Sequence, residues 1–343
     1  MTKIIKTAAG PEEKGSPGRI ALSESEQEIS SEGAFVRQPN HFTTPFGSGP
    51  DELPVEAGRY RLLWASICPW AHRQIIVLKL LGLDQVISIG TAHPVRTPWG
   101  WEFSLDPDGV DPVLGIRYLS EVYQKTDPGY TGRATVPAVV DLKTGKVVNN
   151  NYFKLTYSWE TVWAPFHKPG APDLYPLPLR QNIDELNELL FHEVNNAVYK
   201  AGFAETQEEY EKNYDLLFTR LDILEERLAD QRYLFGDRIT DSDVRFYVTL
   251  ARFDTAYHLV FKTNRNRLID FPNLWNYAKD LYEIPAFGGT TDFEGIRQGY
   301  QLGSQARNPY GILSLGPDVS LWKEGHNRTP LGEGFSDSIS IIP

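Results

Sequence analysis

Residues 60–82 read YRLLWASICPWAHRQIIVLKLLG and combine the pattern of a strand with the pattern of a helix. Residues 60–65 alternate like a strand, and residues 74–81 form an apolar helical run that Gly82 ends. Between them, Pro69 suits the first position of a helix, where its missing N–H group leaves no hydrogen bond unmade. The sequence therefore predicts that Cys68 lies where a strand turns into a helix.

This turn gives Cys68, the single cysteine of the chain, surroundings that favour a reactive thiol. A residue just before a helix faces unpaired backbone N–H groups and the positive end of the helix dipole. We expect such a site to lower the thiol pKa from ~8.5 toward or below neutrality, which would make the thiolate a nucleophile. The competing interpretation is a lone cysteine buried as a small apolar side chain. His72, one turn along the helix, would either assist the thiolate or support the structure.

The composition is typical of an acidic globular protein. The chain has 343 residues, a net charge of -11, 41% hydrophobic and 23% charged residues, and its length fits two domains. The negative charge disfavours a nucleic-acid-binding protein, because phosphate backbones attract basic surfaces. A single cysteine excludes an intramolecular disulfide and indicates a reducing compartment. Since no apolar run approaches ~20 residues and no secretory signal begins the chain, we expect a cytoplasmic protein without a membrane segment.

The chain divides by pattern into four parts. In order, these are an extended N-terminal arm (1–55), a domain of alternating strands and helices with an irregular insertion (56–165), an all-helical domain (179–312) and a C-terminal tail (313–343). The arm has no sustained periodicity, and we expect its Phe35 and Arg37 to dock on the body. The second part predicts a small mixed sheet that ends in a hairpin.

Local signals predict individual helices. Thr206 and Thr240 are each followed three residues later by an acidic residue, which is typical of a capping box at the start of a helix. The pattern of residues 246–260 extends the second of these helices without a break. A further helix is expected over residues 154–166.

Motifs for other common chemistries are absent from the sequence. The seven histidines are scattered and one cysteine cannot form a structural zinc site, so we expect no metal. No glycine-rich phosphate loop follows a strand, and no Gly-x-Ser-x-Gly elbow is present. Cys68 is therefore the strongest candidate nucleophile.

Several longer runs resemble those of one family. They are residues 68–73 (CPWAHR), 130–137 (YTGRATVP), 198–204 (VYKAGFA), 235–245 (FGDRITDSDVR), 271–275 (FPNLW) and 308–312 (NPYGI). From about residue 33 to about residue 317, the chain resembles the Xi class of glutathione transferases, the glutathionyl-hydroquinone reductases. The resemblance implies the glutathione-transferase fold, an α/β thioredoxin-like N-terminal domain followed by an all-α C-terminal domain. It also implies a homodimer.

The resemblance implies an enzyme that acts on a small quinone or hydroquinone thioether. In this family the cysteine thiolate, here Cys68, attacks the sulfur of a glutathionyl-hydroquinone, the hydroquinone leaves, and a second thiol resolves the mixed disulfide. Because the chain has no second cysteine, the resolving thiol must come from outside. Tyr199, Tyr257 and Tyr300 fall in or near the matching runs and would supply the proton for the departing carbon. Tyr199 is the strongest candidate of the three.

The resemblance also implies a site for the thiol co-substrate, glutathione or another low-molecular-weight thiol. Trp101, Arg133 and Val136 match its binding positions. Val136 precedes a proline that the family makes cis, whereas the residue pattern alone favours an ordinary trans proline. The family's Glu-Ser pair, which binds the γ-glutamyl group, is replaced here by Asn151-Tyr152. Because the ammonium group of the thiol then loses its ion pair, the chain would bind glutathione weakly, use another thiol or lack thiol transfer.

Three functions are therefore compatible with the sequence. The first is a thiol-dependent reductase that uses Cys68, and the retained Cys-Pro-Trp-Ala turn favours it. The second is a non-catalytic binding protein of the same fold, which the Asn151-Tyr152 replacement favours. The third is a different reaction at the same thiolate, such as dehalogenation or disulfide reduction.

Overall fold

The computed structural model describes residues 28–331. Expectations for residues 1–27 of the arm and 332–343 of the tail lie outside the described residues. The strands are β1 (Tyr60–Ala65), β2 (Ser88–Ala92), β3 (Ala138–Asp141) and β4 (Lys146–Asn149). The α-helices are α1 (Pro69–Leu81), α2 (Leu119–Thr126), α3 (Leu155–Glu160), α4 (Arg180–Leu190), α5 (Ala197–Gly202), α6 (Gln207–Arg227), α7 (Asp241–Arg252), α8 (His258–Val260), α9 (Pro272–Tyr282), α10 (Pro285–Gly288) and α11 (Phe293–Leu302).

A mixed sheet forms the centre of the N-terminal domain. Within the described residues its four strands lie in the order β2-β1-β3-β4. β1 pairs in parallel with β2 through the crossover helix α1, and β3 and β4 form an antiparallel hairpin. Gly82 ends α1 with a φ of 76°, a left-handed conformation that favours glycine. The predicted β-α-β unit and hairpin are confirmed, and Cys68 follows the carboxyl end of a central strand.

A helical domain, α4 to α11, follows the sheet, so the predicted fold class is confirmed. At the start of α7, Thr240 and Asp243 form the predicted capping box. At the start of α6 only half of a box forms, because Glu209 turns its carboxylate to Lys212 and Asn213. The other half is present, since the Thr206 side chain accepts from the backbone N–H of Glu209.

Two predicted helices are interrupted in the structure. The helix expected over residues 246–260 is broken after Arg252 by a π-helical turn, Phe253–Tyr257. Inserted π turns often mark functional sites, because the extra residue redirects side chains. The helix expected over residues 154–166 is also shorter, since α3 ends at Glu160 and a 3-10 turn follows at Ala164–Phe166.

The described part of the arm crosses the surface of both domains. Phe35 is 6% exposed and stacks on Phe203 of the helical domain at 5.2 Å between ring centroids. The guanidinium of Arg37 lies over the rings of Trp70 and Tyr199. Docking of Phe35 and Arg37 on the body is therefore confirmed, and the arm places polar side chains beside the candidate site.

Candidate active site

Cys68 occupies the N-cap position of α1, and no side chain caps the helix there. The turn that carries it is fixed from the helical domain by Arg252, at the end of α7. The Arg252 guanidinium donates from Nε to the carbonyl of Ile67 at 2.8 Å and from Nη2 to the carbonyl of Ser66 at 2.7 Å. A buried arginine from one domain therefore holds the backbone just before the thiol in the other domain.

His72 belongs to the same support. Its Nδ1 accepts from Arg252 Nη1 at 3.2 Å, and its Nε2 lies 2.8 Å from the hydroxyl of Thr290, which itself donates to the carbonyl of Ala286. Burial and the neighbouring Arg252 lower the pKa of His72 well below its ordinary value. A neutral histidine with both ring nitrogens engaged links the two domains and offers no positive charge to the thiolate.

The Cys68 thiol is half-buried and donates to the carbonyl of Val136 across 3.4 Å. Burial raises the pKa of this thiol above its ordinary value, although the backbone N–H groups of Ala71 and Trp70 and the charges of Arg252 and Arg37 oppose the rise. The lowered pKa expected from the helix dipole is therefore wrong for this structure, because removing the thiolate from water outweighs the N–H groups that would stabilise it.

Three tyrosine hydroxyls meet across the helical domain. Tyr199 of α5, Tyr257 of the π turn and Tyr300 of α11 are mutual hydrogen-bond partners, with 3.3 Å between Tyr199 and Tyr257 and 3.2 Å between Tyr257 and Tyr300. Burial raises the pKa of each hydroxyl above its ordinary value. Each therefore keeps its proton at neutral pH and remains able to donate it.

Trp70 connects the thiol turn with the tyrosine cluster. It lies two residues after Cys68, and its ring centroid is 6.0 Å from that of Tyr199 and 5.1 Å from that of Tyr152. Arg37, from the arm, lies over Trp70 at 4.7 Å and over Tyr199 at 4.9 Å. Trp70, Tyr152 and Tyr199 therefore form one aromatic wall beside the turn of Cys68, and Arg37 of the arm adds a positive charge to it.

The arm holds Arg133 by its backbone and by its side chain. The Arg133 N–H donates to Gln38 Oε1 at 2.8 Å, and its carbonyl accepts from Gln38 Nε2 at 3.1 Å. Its guanidinium pairs with the carboxylate of Glu28 at 2.6 Å. In this structure the guanidinium of Arg133 is therefore occupied by a carboxylate of the arm.

Val136 and Trp101 differ in their relation to the thiol. The bond between Val136 and Pro137 is cis, as the family resemblance implied and against the ordinary trans proline that the pattern alone favoured. The carbonyl of Val136 contacts the Cys68 sulfur. Trp101 lies in the insertion after β2, is 7% exposed, and carries the Arg96 guanidinium over its ring at 5.5 Å.

Asn151 and Tyr152 lie just before α3, and both are engaged by neighbours. Asn151 Oδ1 accepts from Asn40 Nδ2 of the arm at 3.3 Å and from the backbone of Lys154 at 3.2 Å. The Tyr152 carbonyl accepts from the Arg73 guanidinium. The Tyr152 ring packs on Trp70. In this structure, residues 151 and 152 therefore present a neutral amide bonded to the arm and an aromatic ring packed on Trp70.

Two kinds of feature are absent from residues 28–331. No cluster of three or more His, Cys, Asp or Glu residues in this part of the chain is placed to hold a metal ion. No helix there is long and apolar enough to cross a bilayer.

Known proteins share this arrangement of domains. Residues 207–280 match the family model described as glutathione S-transferase, C-terminal domain. The chain is 37% identical over 286 residues to glutathionyl-hydroquinone reductase YqjG of Escherichia coli, covering 83% of this chain and 87% of that protein. A glutathione-bound structure of YqjG matches with a TM-score of 0.77 and 36% identity, over 87% of this chain and 97% of the other.

Other solved structures are similar over most of their length. A glutathione transferase from Gordonia bronchialis is 50% identical with a TM-score of 0.82, covering 85% of this chain and 92% of the other. The glutathione-S-transferase Xi of Phanerochaete chrysosporium is 36% identical with a TM-score of 0.82, covering 87% and 97%. The chain therefore belongs to the Xi class of glutathione transferases, the family of the glutathionyl-hydroquinone reductases.

Proposed function

We propose that the protein is a thiol-dependent reductase of glutathionyl-hydroquinone conjugates, with Cys68 as its nucleophile. The relative YqjG, named for this activity, supports the reaction class. The observation that carries the proposal is the shared aromatic wall, in which Trp70 joins the turn of Cys68 to the hydrogen-bonded tyrosines. Sulfur attack and proton donation are the two tasks that the reduction of an aryl thioether requires.

The first half-reaction transfers the thiol from the conjugate to the enzyme. The Cys68 thiolate forms a bond to the conjugate sulfur, and the bond between that sulfur and the aromatic carbon breaks. The electron pair of the broken bond stays with the aromatic group, which takes up a proton and leaves as the hydroquinone. The aromatic carbon is thereby reduced, and the two sulfurs are oxidised to a mixed disulfide.

The second half-reaction needs a thiol from solution. The chain contains no other cysteine, so a second low-molecular-weight thiolate attacks the mixed disulfide and leaves as a disulfide. We propose glutathione as this co-substrate, supported by the glutathione-bound structure of YqjG. The cycle returns Cys68 to its free form and joins the sulfur of the conjugate to one equivalent of free thiol as a disulfide.

Tyr199 is the proposed proton donor. Its hydroxyl contacts those of both Tyr257 and Tyr300, and its ring lies on the Trp70 side of the cluster. A proton that leaves Tyr199 can be replaced along these hydrogen bonds, which spreads the resulting charge over three oxygens. Tyr257 and Tyr300 are therefore proposed as partners of Tyr199 and as secondary donors.

The thiol subsites follow from the residues beside Cys68. Arg133 is proposed to bind a carboxylate of the thiol, with Val136 holding its backbone and Trp101 as a further binding position. Asn151 and Tyr152 stand where the family has its Glu-Ser pair, and they offer no charge to an ammonium group. The proposal therefore includes weak binding of glutathione, or preference for a thiol without a free γ-glutamyl group.

A ligand screen by thermal unfolding tests these subsites. A ligand that binds only the folded state raises the apparent stability in proportion to the logarithm of its concentration over Kd. Glutathione, its hydroquinone conjugate and thiols without a γ-glutamyl group would be compared at equal concentration. A larger shift with another thiol than with glutathione would name the co-substrate, and no shift with any thiol would contradict the proposal.

A second candidate function is a non-catalytic binding protein, and the Asn151-Tyr152 replacement is the observation that favours it. Turnover separates the two functions. The reductase proposal expects release of hydroquinone from its glutathionyl conjugate in the presence of free thiol, and loss of this release in Cys68→Ser. A protein that binds the conjugate without releasing hydroquinone would instead be a binding protein.

Homodimer formation and cytoplasmic location remain predictions. Analytical sedimentation would measure whether the protein is a dimer.

A further inference from the structure

Arg37 reaches the proposed active site from outside both domains. It lies on the described part of the arm, and its Nε donates to the side-chain oxygen of Asn196 at 3.0 Å. Its guanidinium carbon is 4.7 Å from the ring centroid of Trp70 and 4.9 Å from that of Tyr199. These contacts place a permanent positive charge between the thiol turn and the tyrosine cluster.

One end of this guanidinium has no partner. The Nη2 atom of Arg37 is buried, and no acceptor within residues 28–331 lies within hydrogen-bonding distance of it. A buried N–H group of a cation is costly to leave unpaired, so such a group commonly marks a place where a ligand supplies the acceptor. The stacking on Trp70 and the bond to Asn196 are sufficient to seat the arm, and they leave Nη2 free for another role.

The charge of Arg37 also acts on the reacting groups. It lowers the pKa values of Cys68, Tyr152 and Tyr199 against the stronger opposing influence of burial. An effect on all three residues places the charge of Arg37 within electrostatic range of the space around the thiol. A negatively charged ligand atom in that space would be attracted in the same way.

We propose that Nη2 of Arg37 donates to an oxygen of the conjugate, either a hydroxyl oxygen of the hydroquinone ring or a carboxylate oxygen of the attached thiol. This inference rests on the proposed function. It assigns a ligand-binding residue to the N-terminal arm, whereas the binding positions implied by the resemblance all lie at residue 101 or beyond.

A contact between Arg37 and a ring oxygen would be strongest during the reaction, when negative charge develops on that oxygen. If the sulfur-bearing carbon takes up a proton first and a ring hydroxyl releases its own proton to solvent, the ring becomes a ketone at that oxygen. When Cys68 then takes the sulfur, the electron pair of the broken bond restores the aromatic ring and leaves a negative charge on that oxygen. A guanidinium N–H placed there stabilises a charge that grows as the bond breaks.

Equilibrium binding in a Cys68→Ser background tests the inference without consuming the ligand. The probes are glutathione, glutathionyl-hydroquinone and the dimethyl ether of that conjugate, whose ring oxygens cannot carry a charge. Titration calorimetry would compare the affinities of three proteins in this background, one that retains Arg37, one with Arg37→Lys and one with Arg37→Met. Arg265→Met is the matched control, because Arg265 also stacks on an aromatic ring but pairs with the exposed carboxylate of Asp222.

Two outcomes support the inference and identify the oxygen. If the ring oxygen is bound, the protein that retains Arg37 binds the hydroquinone conjugate roughly 10- to 100-fold more tightly than its ether, and Arg37→Met removes this difference in affinity. If the carboxylate is bound, Arg37→Met weakens all three probes, including glutathione alone, by a similar factor. In either case Arg37→Lys retains part of the effect, and Arg265→Met leaves binding unchanged.

Two other outcomes overturn it. Equal affinity for every probe in the protein that retains Arg37 and in Arg37→Met would show that this residue only holds the arm in place. Turnover by the unmodified protein would then leave the proposed function standing. Absence of binding to the Cys68→Ser protein for all three probes would overturn the inference, and only if the unmodified protein also shows no turnover would the proposed function be overturned with it.

Discussion

The pKa of Cys68 depends on two opposing influences, and the local sequence does not show which of them is larger. Its position before α1 supplies the N–H groups of Trp70 and Ala71, but burial raises the thiol pKa above its ordinary value. The turn itself was predictable, because Cys68-Pro69 lies between a strand pattern and a helix pattern. The degree of burial was not, because Val136, whose carbonyl contacts the sulfur, lies far from Cys68 along the chain.

The raised pKa predicts how the reactivity of Cys68 depends on pH. Because only the thiolate is alkylated, and its proton is held more tightly than in an ordinary thiol, the rate should keep rising with pH beyond the ordinary thiol pKa of ~8.5. Iodoacetamide labelling followed by mass spectrometry would measure this rate, with a short cysteine peptide as the control. A plateau reached by pH 7 would show that the helix N-terminus outweighs burial.

Removal of one hydroxyl tests the proposed proton donor. Tyr199→Phe keeps the ring on Trp70 but lacks the proton, so we expect kcat for the hydroquinone conjugate to fall roughly 10- to 100-fold, with Tyr257 and Tyr300 supplying the remainder. Alkylation of Cys68, which needs no proton donor at carbon, should change little. Tyr210→Phe is the control, since the Tyr210 hydroxyl binds the carbonyl of Lys262. Unchanged kcat in Tyr199→Phe would contradict the assignment.

At the scale of single elements, the end of α3 contains an unusual carboxyl group. Both carboxyl oxygens of Glu160 are buried, and they lie near the carboxyl group of Asp241. Burial and the nearby Asp241 raise the pKa of Glu160 well above its ordinary value, so the folded protein keeps this proton at a pH where the unfolded chain releases it. The contribution of Glu160 to stability is therefore present at low pH and is lost as pH rises from about 4.5 toward the folded pKa.

Glu160→Gln should remove this loss, because glutamine has the shape of the protonated acid and never ionises. We expect the Tm at pH 8 to rise by roughly 2–4 °C for each kcal/mol recovered, with little difference from the parent near pH 4. Thermal unfolding at both pH values measures the effect. The control is Glu226→Gln, an exposed substitution on α6. A Tm at pH 8 that falls in Glu160→Gln would show that the carboxylate is ionised and paired in the folded protein.

Helix starts were predictable from the sequence, and helix interruptions were not. Thr240 and Asp243 form their capping box from residues that are close along the chain. The π turn Phe253–Tyr257 and the early end of α3 depend instead on how the helices pack. The π turn also carries Tyr257 toward Tyr199, so sequence periodicity missed the feature that assembles the tyrosine cluster.

At the scale of the whole molecule, the two domains share one hydrophobic core. A single cluster of buried residues includes Leu62 and Leu78 of the first domain as well as Leu217 and Tyr257 of the second. Arg252 adds a polar link to the turn of Cys68. The family resemblance predicted both domains, but it did not predict that the arm would contact Arg133, Asn151 and Trp70 at once.

The shared core predicts cooperative unfolding. Calorimetry of the full chain should show one transition, because neither domain can unfold without exposing the apolar surface of the other. Arg252→Met should lower the Tm of this single transition, since it leaves the carbonyls of Ser66 and Ile67 without their donors. Arg238→Met, at an exposed arginine, is the control. Two separate transitions in the unmodified protein would contradict a common core.

The reductase proposal requires that the thiol of the conjugate pass through Cys68. When the protein is incubated with glutathionyl-hydroquinone and no free thiol, mass spectrometry of the peptide that contains Cys68 should show one glutathionyl group per chain, formed together with one equivalent of hydroquinone. Added thiol should then remove the group and restore the original mass. Release of hydroquinone while Cys68 stays unmodified, or continued turnover by Cys68→Ser, would contradict the role of this sulfur.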